Sequence, residues 1–163
     1  MSDLGIPADY GSRRGLRLQP EATELVSIGL TAEGRDIRLE VGTADAWYAM
    51  RESAASVGVT LLALSGFRSV ERQAEIIRAK LKAGHSIGSI LEFIAAPGFS
   101  EHHTGRAIDV GVPGEPPLTE DFEKTSGYAW LDRYGAKYGF RLSYPRGNPH
   151  GIAYEPWHWF HLG

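Results

Sequence analysis

A chain of 163 residues has room for one hydrophobic core, because a domain of this size buries roughly 68–70% of the surface its unfolded form exposes, so a single domain is expected. Hydrophobic residues at 42% and charged residues at 23%, with 20 Gly and 9 Pro spread along the sequence, exclude a disordered or fibrous protein. A formal net charge of -3 gives no basic field for nucleic acid, no run of about 18 apolar residues exists to span a membrane, and the lack of Cys leaves only His and carboxylates to hold a metal.

The opening MSDLGIPADYGSRRGLRL lacks the apolar stretch of about 7–15 residues of a secretory signal. A cytoplasmic protein is therefore expected if Met1 is the native start, and a periplasmic or extracellular one if a signal peptide has been removed. Residues 1–24 mix Gly, Pro and Arg without period and read as an N-terminal arm extended over the surface, with the domain proper over 25–163.

From Val26 to Val41, short apolar stretches flank Ala32-Glu33-Gly34-Arg35, which predicts a two-stranded hairpin. Trp47, Met50, Ala54 and Val57 recur at helical spacing, and Gly58 ends that helix before a strand over Val59 to Ser65. Ser69 caps a second helix with the stripe Val70, Ala74, Ile77 and Leu81, which ends at Gly84. A shorter helix is expected from Ser86 to Ala95, stopped by Pro97-Gly98.

Residues 106–112 alternate as a strand, with Ala107, Asp109 and Gly111 on one face and Ile108, Val110 and Val112 on the other. Asp109 thus sits between small side chains, with room beside it. Trp130, Leu131, Tyr134 and Tyr138 mark a further helix ended by Gly139, and strands near 140–144 and 157–162 close the chain. Helices mixed with a mostly antiparallel sheet predict the α+β class: a central sheet flanked by helices.

Three polar clusters stand beside these apolar strands: Ser65 to Ser69, Ser100 to Gly105 leading to Asp109, and Glu155 to His158. Two neutral imidazoles and one carboxylate form the ligand set that hydrolytic zinc uses, with a fourth position left for water. His102, Asp109 and His158 supply that set for one zinc ion, a turn at Thr104-Gly105 bringing the first two together. Glu155 is the choice for moving the proton of the attacking water. Pro156 makes a helix there improbable, and a straight strand would point Glu155 away from His158, so the chain must bend between them. Arg68, just past a strand end, is placed to face a developing oxyanion, with Gln73 one turn into the next helix supporting substrate.

The order SGFRS with Gln73, then S-x-H-x-x-G-x-A-x-D at 100–109, SYP at 143–145 and EPWH at 155–158 resembles the VanY-like D-alanyl-D-alanine carboxypeptidases, relatives of the D-Ala-D-Ala dipeptidases and of the hedgehog signalling domain. The similarity spans roughly residues 44–163. It implies that His102, Asp109 and His158 bind zinc, that Glu155 is the general base and that Arg68 holds the scissile carbonyl. It further implies that Ser100, Gln73, Tyr144 and Trp157 line the pocket for a peptidoglycan stem peptide or muropeptide ending in D-Ala; a monomer is expected. The bond cut is either the D,D-bond of a pentapeptide or the L,D-bond of a tetrapeptide in cell-wall recycling, the latter being preferred for a cytoplasmic protein. His103, His161, His85 and His150 are read as solvated or hydrogen-bonded structural residues. The competing readings are a non-catalytic zinc module that binds cell-wall or protein partners, and an iron oxygenase with two His and one carboxylate.

Overall fold

In the computed structural model, which describes residues 2–163, β1 (Val26–Leu30) pairs antiparallel with β2 (Asp36–Leu39) across a turn in which Gly34 adopts φ +81°. Alternation along β2 turns Ile37 and Leu39 inward. Helix α2 (Val41–Ser56) follows at once, earlier than the strand-like pattern through Val41 suggested. Its cap is Glu40, whose carboxylate accepts from the Gly42 and Thr43 N–H groups at 3.1 and 3.0 Å. That role usually falls to Ser, Thr, Asp or Asn, so the start is hard to read from residue types.

Strand β3 (Leu62–Ser65) leads to helix α3 (Val70–Lys82), capped by Ser69, whose Oγ accepts from the Arg72 N–H at 3.0 Å. The expected helix over 86–95 shrinks to one turn, α4 (Ile87–Ile90). The carbonyls that would have continued it are used elsewhere: Leu91 O accepts from Arg14, Glu92 O from the Ala153 N–H, and Ala95 O from Gln73 Nε2. Tertiary hydrogen bonds here replace the helical ladder.

Strand β4 (Ala107–Gly111) is buried along its whole length. Helix α5 (Ser126–Tyr134), capped by Thr125, passes into a 3-10 turn over Gly135–Tyr138 that ends at Gly139 in the left-handed region. β5 (Phe140–Leu142) and β6 (His158–His161) complete a four-stranded sheet of order β3-β4-β6-β5, in which every neighbouring pair is antiparallel. The α+β architecture with a mostly antiparallel sheet is thus present.

The sheet separates two apolar clusters. Leu39, Trp47, Met50 and Ala54 pack with Ile108, Val110, Trp130, Leu131, Phe140 and Trp159, which places α2 and α5 on one face. The second cluster joins Ala74 and Ile77 of α3 to Ile90, Leu91, Phe99, Tyr144 and Ile152, and it also contains Leu4, Ile6 and Tyr10. The N-terminal segment is therefore not an extended surface arm. It carries a short helix, α1 (Tyr10–Arg14), and the Tyr10 hydroxyl accepts a hydrogen bond from the Ala96 N–H at 3.2 Å. Three widely spaced apolar residues in an aperiodic stretch gave no pattern from which to read this packing.

Gly105 ties the hairpin to the start of β4. It holds φ +67°, its carbonyl accepts from the Glu40 N–H at 2.9 Å, and a Cβ there would lie 2.7 Å from Leu25 Cδ2 and 2.9 Å from the Glu40 nitrogen. Gly105→Ala is expected to destabilise the protein by about 2–4 kcal/mol by combining backbone strain with a clash against main chain. Gly34→Ala, where a Cβ meets nothing within 4 Å, should cost only about 1 kcal/mol. Urea unfolding of both variants checks the difference, and equal losses would contradict it.

Candidate active site

Strand pairing brings the first two polar residues together. In the β4–β6 register Asp109 faces His158, and in the β3–β4 register Ser65 faces Asp109. Cross-strand partners project to the same side of a sheet, so Asp109 and His158 emerge side by side. Ala107 and Gly111 flank Asp109 on that face, as the period-2 pattern indicated.

His102 arrives from a 3-10 turn over Glu101–Thr104, which Ser100 caps by accepting from the His102 N–H at 3.3 Å and which Gly105 ends in the left-handed region. The ring of His102 is fixed by its Nδ1, which donates to the Gly66 carbonyl at 2.7 Å. Gly66 can approach this closely only without a side chain, since a Cβ would lie 2.6 Å from the Arg38 carbonyl oxygen. Nε2 of His102 is thereby left as a lone pair, 3.3 Å from Asp109 Oδ1.

His158 is arranged the other way round. Its Nε2 donates to Glu101 Oε2 at 2.9 Å, and its Nδ1 stands 3.2 Å from the same Asp109 Oδ1. That oxygen is buried and accepts no hydrogen bond. Three acceptor lone pairs, from two imidazoles and one carboxylate, therefore converge with no donor from the described residues between them. Their ligand atoms lie within 4.8 Å of one another, a set able to hold a metal ion. A divalent cation satisfies all three at once, and the N, N, O donor set suits zinc. With no cation in place the same electrostatics attract a proton. Burial works against a charged His158, but the carboxylates of Asp109 and Glu101, on either side of its ring, would stabilise the protonated form and push its pKa up to about 10. Burial also opposes the Asp109 charge, yet the two histidines hold its carboxyl well below the usual range.

Glu155 precedes β6. The His158 N–H donates to the Glu155 carbonyl at 3.2 Å, closing a turn through Pro156. This is the bend that a straight strand lacked, and it brings Glu155 Oε2 to 3.7 Å from His158 Nδ1. Burial is the dominant influence on Glu155 and, opposed by His158 and Arg68 but reinforced by Asp109, raises its pKa to about 7.

Arg68 lies across the cavity, where desolvation lowers its pKa while Asp109 and Glu155 favour its charge. Its Nη1 donates to Gln73 Oε1 at 2.9 Å, and Gln73 Nε2 donates to the Ala95 carbonyl at 2.7 Å. Gln73 is almost fully buried and acts first as a brace for Arg68, although sequence reasoning assigned it to substrate. The Tyr144 ring packs 4.9 Å from that of His158, centroid to centroid, and the Trp157 carbonyl accepts from the Val110 N–H.

A cavity of about 280 Å³ is lined by Arg68, Gln73, Ser100, His102, Asp109, Tyr144, Glu155, Trp157 and His158 together. Every residue singled out from the sequence thus borders one space. Ile76, Lys80, Phe93, Ile94 and Leu118 extend its wall. His103 is elsewhere engaged, its Nδ1 donating to the Arg68 carbonyl at 2.7 Å and its Nε2 accepting from the Gly98 N–H at 3.0 Å. His161 contacts Thr43 Oγ1 at 3.1 Å, and His150 donates to the Arg14 carbonyl. The residue that sequence reasoning passed over is Glu101. Its position beside His102 was the available signal, but its contact with His158 is made across 57 residues.

Residues 36–163 match the family model described as VanY, D-alanyl-D-alanine carboxypeptidase. Over 135 residues the chain is 38% identical to a putative carboxypeptidase, YodJ, of Bacillus subtilis (strain 168), a match covering 79% of this chain and 47% of that protein. The chain spans about half the length of the curated relatives it matches first. Among solved structures, the LdcB LD-carboxypeptidase superposes with a TM-score of 0.78 at 31% identity, covering 88% of this chain and 70% of that one. A variant of the vancomycin-resistance D,D-pentapeptidase VanY, solved in complex with Zn(II), superposes with a TM-score of 0.67 at 27% identity, covering 89% and 81%. On this match, which takes in more than half of its length, the chain belongs to the VanY D-alanyl-D-alanine carboxypeptidase family.

Proposed function

We propose that this protein is a zinc-dependent carboxypeptidase that removes the terminal D-alanine from peptidoglycan stem peptides. The observation that carries the reading is the convergence of His102 Nε2, Asp109 Oδ1 and His158 Nδ1 without a donor, beside one carboxyl group whose pKa is about 7.

When bound, zinc lowers the pKa of a coordinated water toward about 7 and polarises a carbonyl oxygen. The side chains supply the remaining chemistry. Glu155 accepts the proton of the attacking water on its carboxylate and returns it to the amine nitrogen of the departing D-alanine as the C–N bond breaks. A carboxyl poised near pH 7 suits both directions of that transfer. Arg68 cannot lose its charge near neutral pH, and Gln73 and Ser65 Oγ hold its guanidinium against the cavity, where it meets the developing negative charge on the scissile carbonyl. Ser100, Tyr144 and Trp157 border the space for the terminal residue. The likenesses to an LD-carboxypeptidase and to a D,D-pentapeptidase support D-alanine as the residue released, with the preceding residue either an L-centre or a second D-alanine.

Incubation of the zinc-loaded protein with tripeptide, tetrapeptide and pentapeptide muropeptides, followed by mass spectrometry, is expected to show loss of one D-alanine from the tetrapeptide or the pentapeptide, and none from the tripeptide. Loss from the tetrapeptide defines an L,D-enzyme and loss from the pentapeptide a D,D-enzyme. Unchanged masses throughout, with zinc bound, would overturn the reading in favour of a non-catalytic binding module.

Glu155→Gln should keep its zinc and lose turnover by at least about 100-fold. The same substitution has a consequence for stability. The folded-state pKa of Glu155 lies above the ordinary value of 4.5, so its contribution is fully present below about pH 4.5 and is lost as pH rises through 7. At pH 8 the metal-free protein therefore carries a buried, ionised carboxylate that Gln does not. Urea unfolding in chelator should find Glu155→Gln more stable by about 2–3 kcal/mol at pH 8, the advantage shrinking toward pH 4.5. An advantage independent of pH would contradict this account.

A further inference from the structure

Glu101 is among the few acidic side chains buried in the protein, and both of its oxygens are engaged. Oε2 accepts from His158 Nε2 at 2.9 Å and from Ser143 Oγ at 2.5 Å, while Oε1 accepts from Arg141 Nη2 at 3.1 Å. Strand geometry explains the convergence. In the β5–β6 register Arg141 faces Phe160, and just beyond β5 the Ser143 N–H lies 3.5 Å from the His158 carbonyl. Arg141 and Ser143, two residues apart, therefore share the face that carries His158 and Phe160. Glu101 enters from the turn that also delivers His102, so four residues provide one ligand and the support of another.

We propose that Glu101 is a positioning residue that fixes the tautomer of His158, so that Nδ1 presents its lone pair toward Asp109 and His102. A neutral imidazole carries one N–H, and either nitrogen can hold it. Were the proton on Nδ1, it would point at Asp109 Oδ1, 3.2 Å away, and satisfy that orphaned acceptor in competition with a cation. The Glu101 carboxylate draws the proton to Nε2 instead. The two imidazoles are thus held by unlike partners: His102 by the neutral carbonyl of Gly66, and His158 by an anion that also raises the basicity of the ligating nitrogen. Arg141 and Ser143 keep that anion charged and oriented.

This proposal rests on the metal-binding part of the proposed function and not on its substrate. Zinc affinity measured by competition with a chelator is expected to fall about 10–100-fold in Glu101→Ala, the range for losing such a partner. Glu101→Gln, which keeps an acceptor oxygen but not the charge, should fall between it and the wild type. Nitrogen NMR of the zinc-loaded wild-type protein, ¹⁵N-labelled at histidine, should show His158 protonated at Nε2, and this readout needs no variant to fold. Coordination of His158 through Nε2, or unchanged affinity in folded Glu101→Ala, would overturn the proposal. Failure of the wild type to bind zinc at all would instead remove the metal site itself.

Discussion

The whole site depends on a buried deficit of donors. Asp109 Oδ1, His102 Nε2 and His158 Nδ1 face one another on buried side chains, and no N–H or O–H of the described residues lies between them. An unsatisfied buried acceptor costs about 1–3 kcal/mol, so the arrangement persists only because the surrounding structure dictates it. The dictating element is the β4–β6 pairing, which sets Asp109 opposite His158, with apolar packing of Ile108, Val110 and Trp159 on the reverse face keeping the register. A one-residue slip would turn Asp109 into that core. The register that organises the hydrophobic cluster and the register that builds the site are the same one.

Regular structure gives way around this centre wherever the site needs a backbone group. Gln73 takes the Ala95 carbonyl to brace Arg68, Arg14 takes that of Leu91, and the segment after α4 remains irregular as a result. Gly66 offers its carbonyl to His102, and its missing side chain lets the hairpin pack against it through Arg38. The N-terminal segment belongs to this support as well. Tyr10 holds the Ala96 N–H and packs edge-on against Phe99, which directly precedes Ser100. Its Leu4 and Ile6 share a cluster with Tyr144, whose ring lies against His158.

What the sequence disclosed follows the range of the interactions involved. Alternation in β4, the stripe of α3 and the turn residues at Gly34, Gly105 and Gly139 are local signals, and the elements they mark are present. The residues that line the cavity were legible because they fell into motifs in a specific order. The bend at Pro156 was legible too, since a straight strand would have separated Glu155 from His158. The N-terminal packing, the truncated α4 and the part played by Glu101 depend on partners tens of residues away, which no local pattern encodes. Gln73 shows the intermediate case: its place at the cavity was readable, its engagement with Arg68 and Ala95 was not.

Two buried carboxyl groups, Glu101 and Glu155, both approach His158, and their surroundings assign them opposite work. Burial tends to raise the pKa of each. For Glu101 that tendency is overcome by hydrogen bonds from His158 and Ser143 and by the charge of Arg141, so its carboxyl stays below the usual range and the group remains a fixed anion. For Glu155 no hydrogen bond to the side-chain carboxylate is formed among the described residues, and the nearby Asp109 adds to the effect of burial. A group meant to hold an imidazole in one orientation must not exchange its proton, whereas a group meant to carry a proton from water to an amine must do so near the working pH. Hydrogen-bond donors and neighbouring charges together therefore separate the two. That difference supports the proton-transfer role proposed for Glu155, even though Glu101 lies closer to an imidazole nitrogen, at 2.9 Å against 3.7 Å.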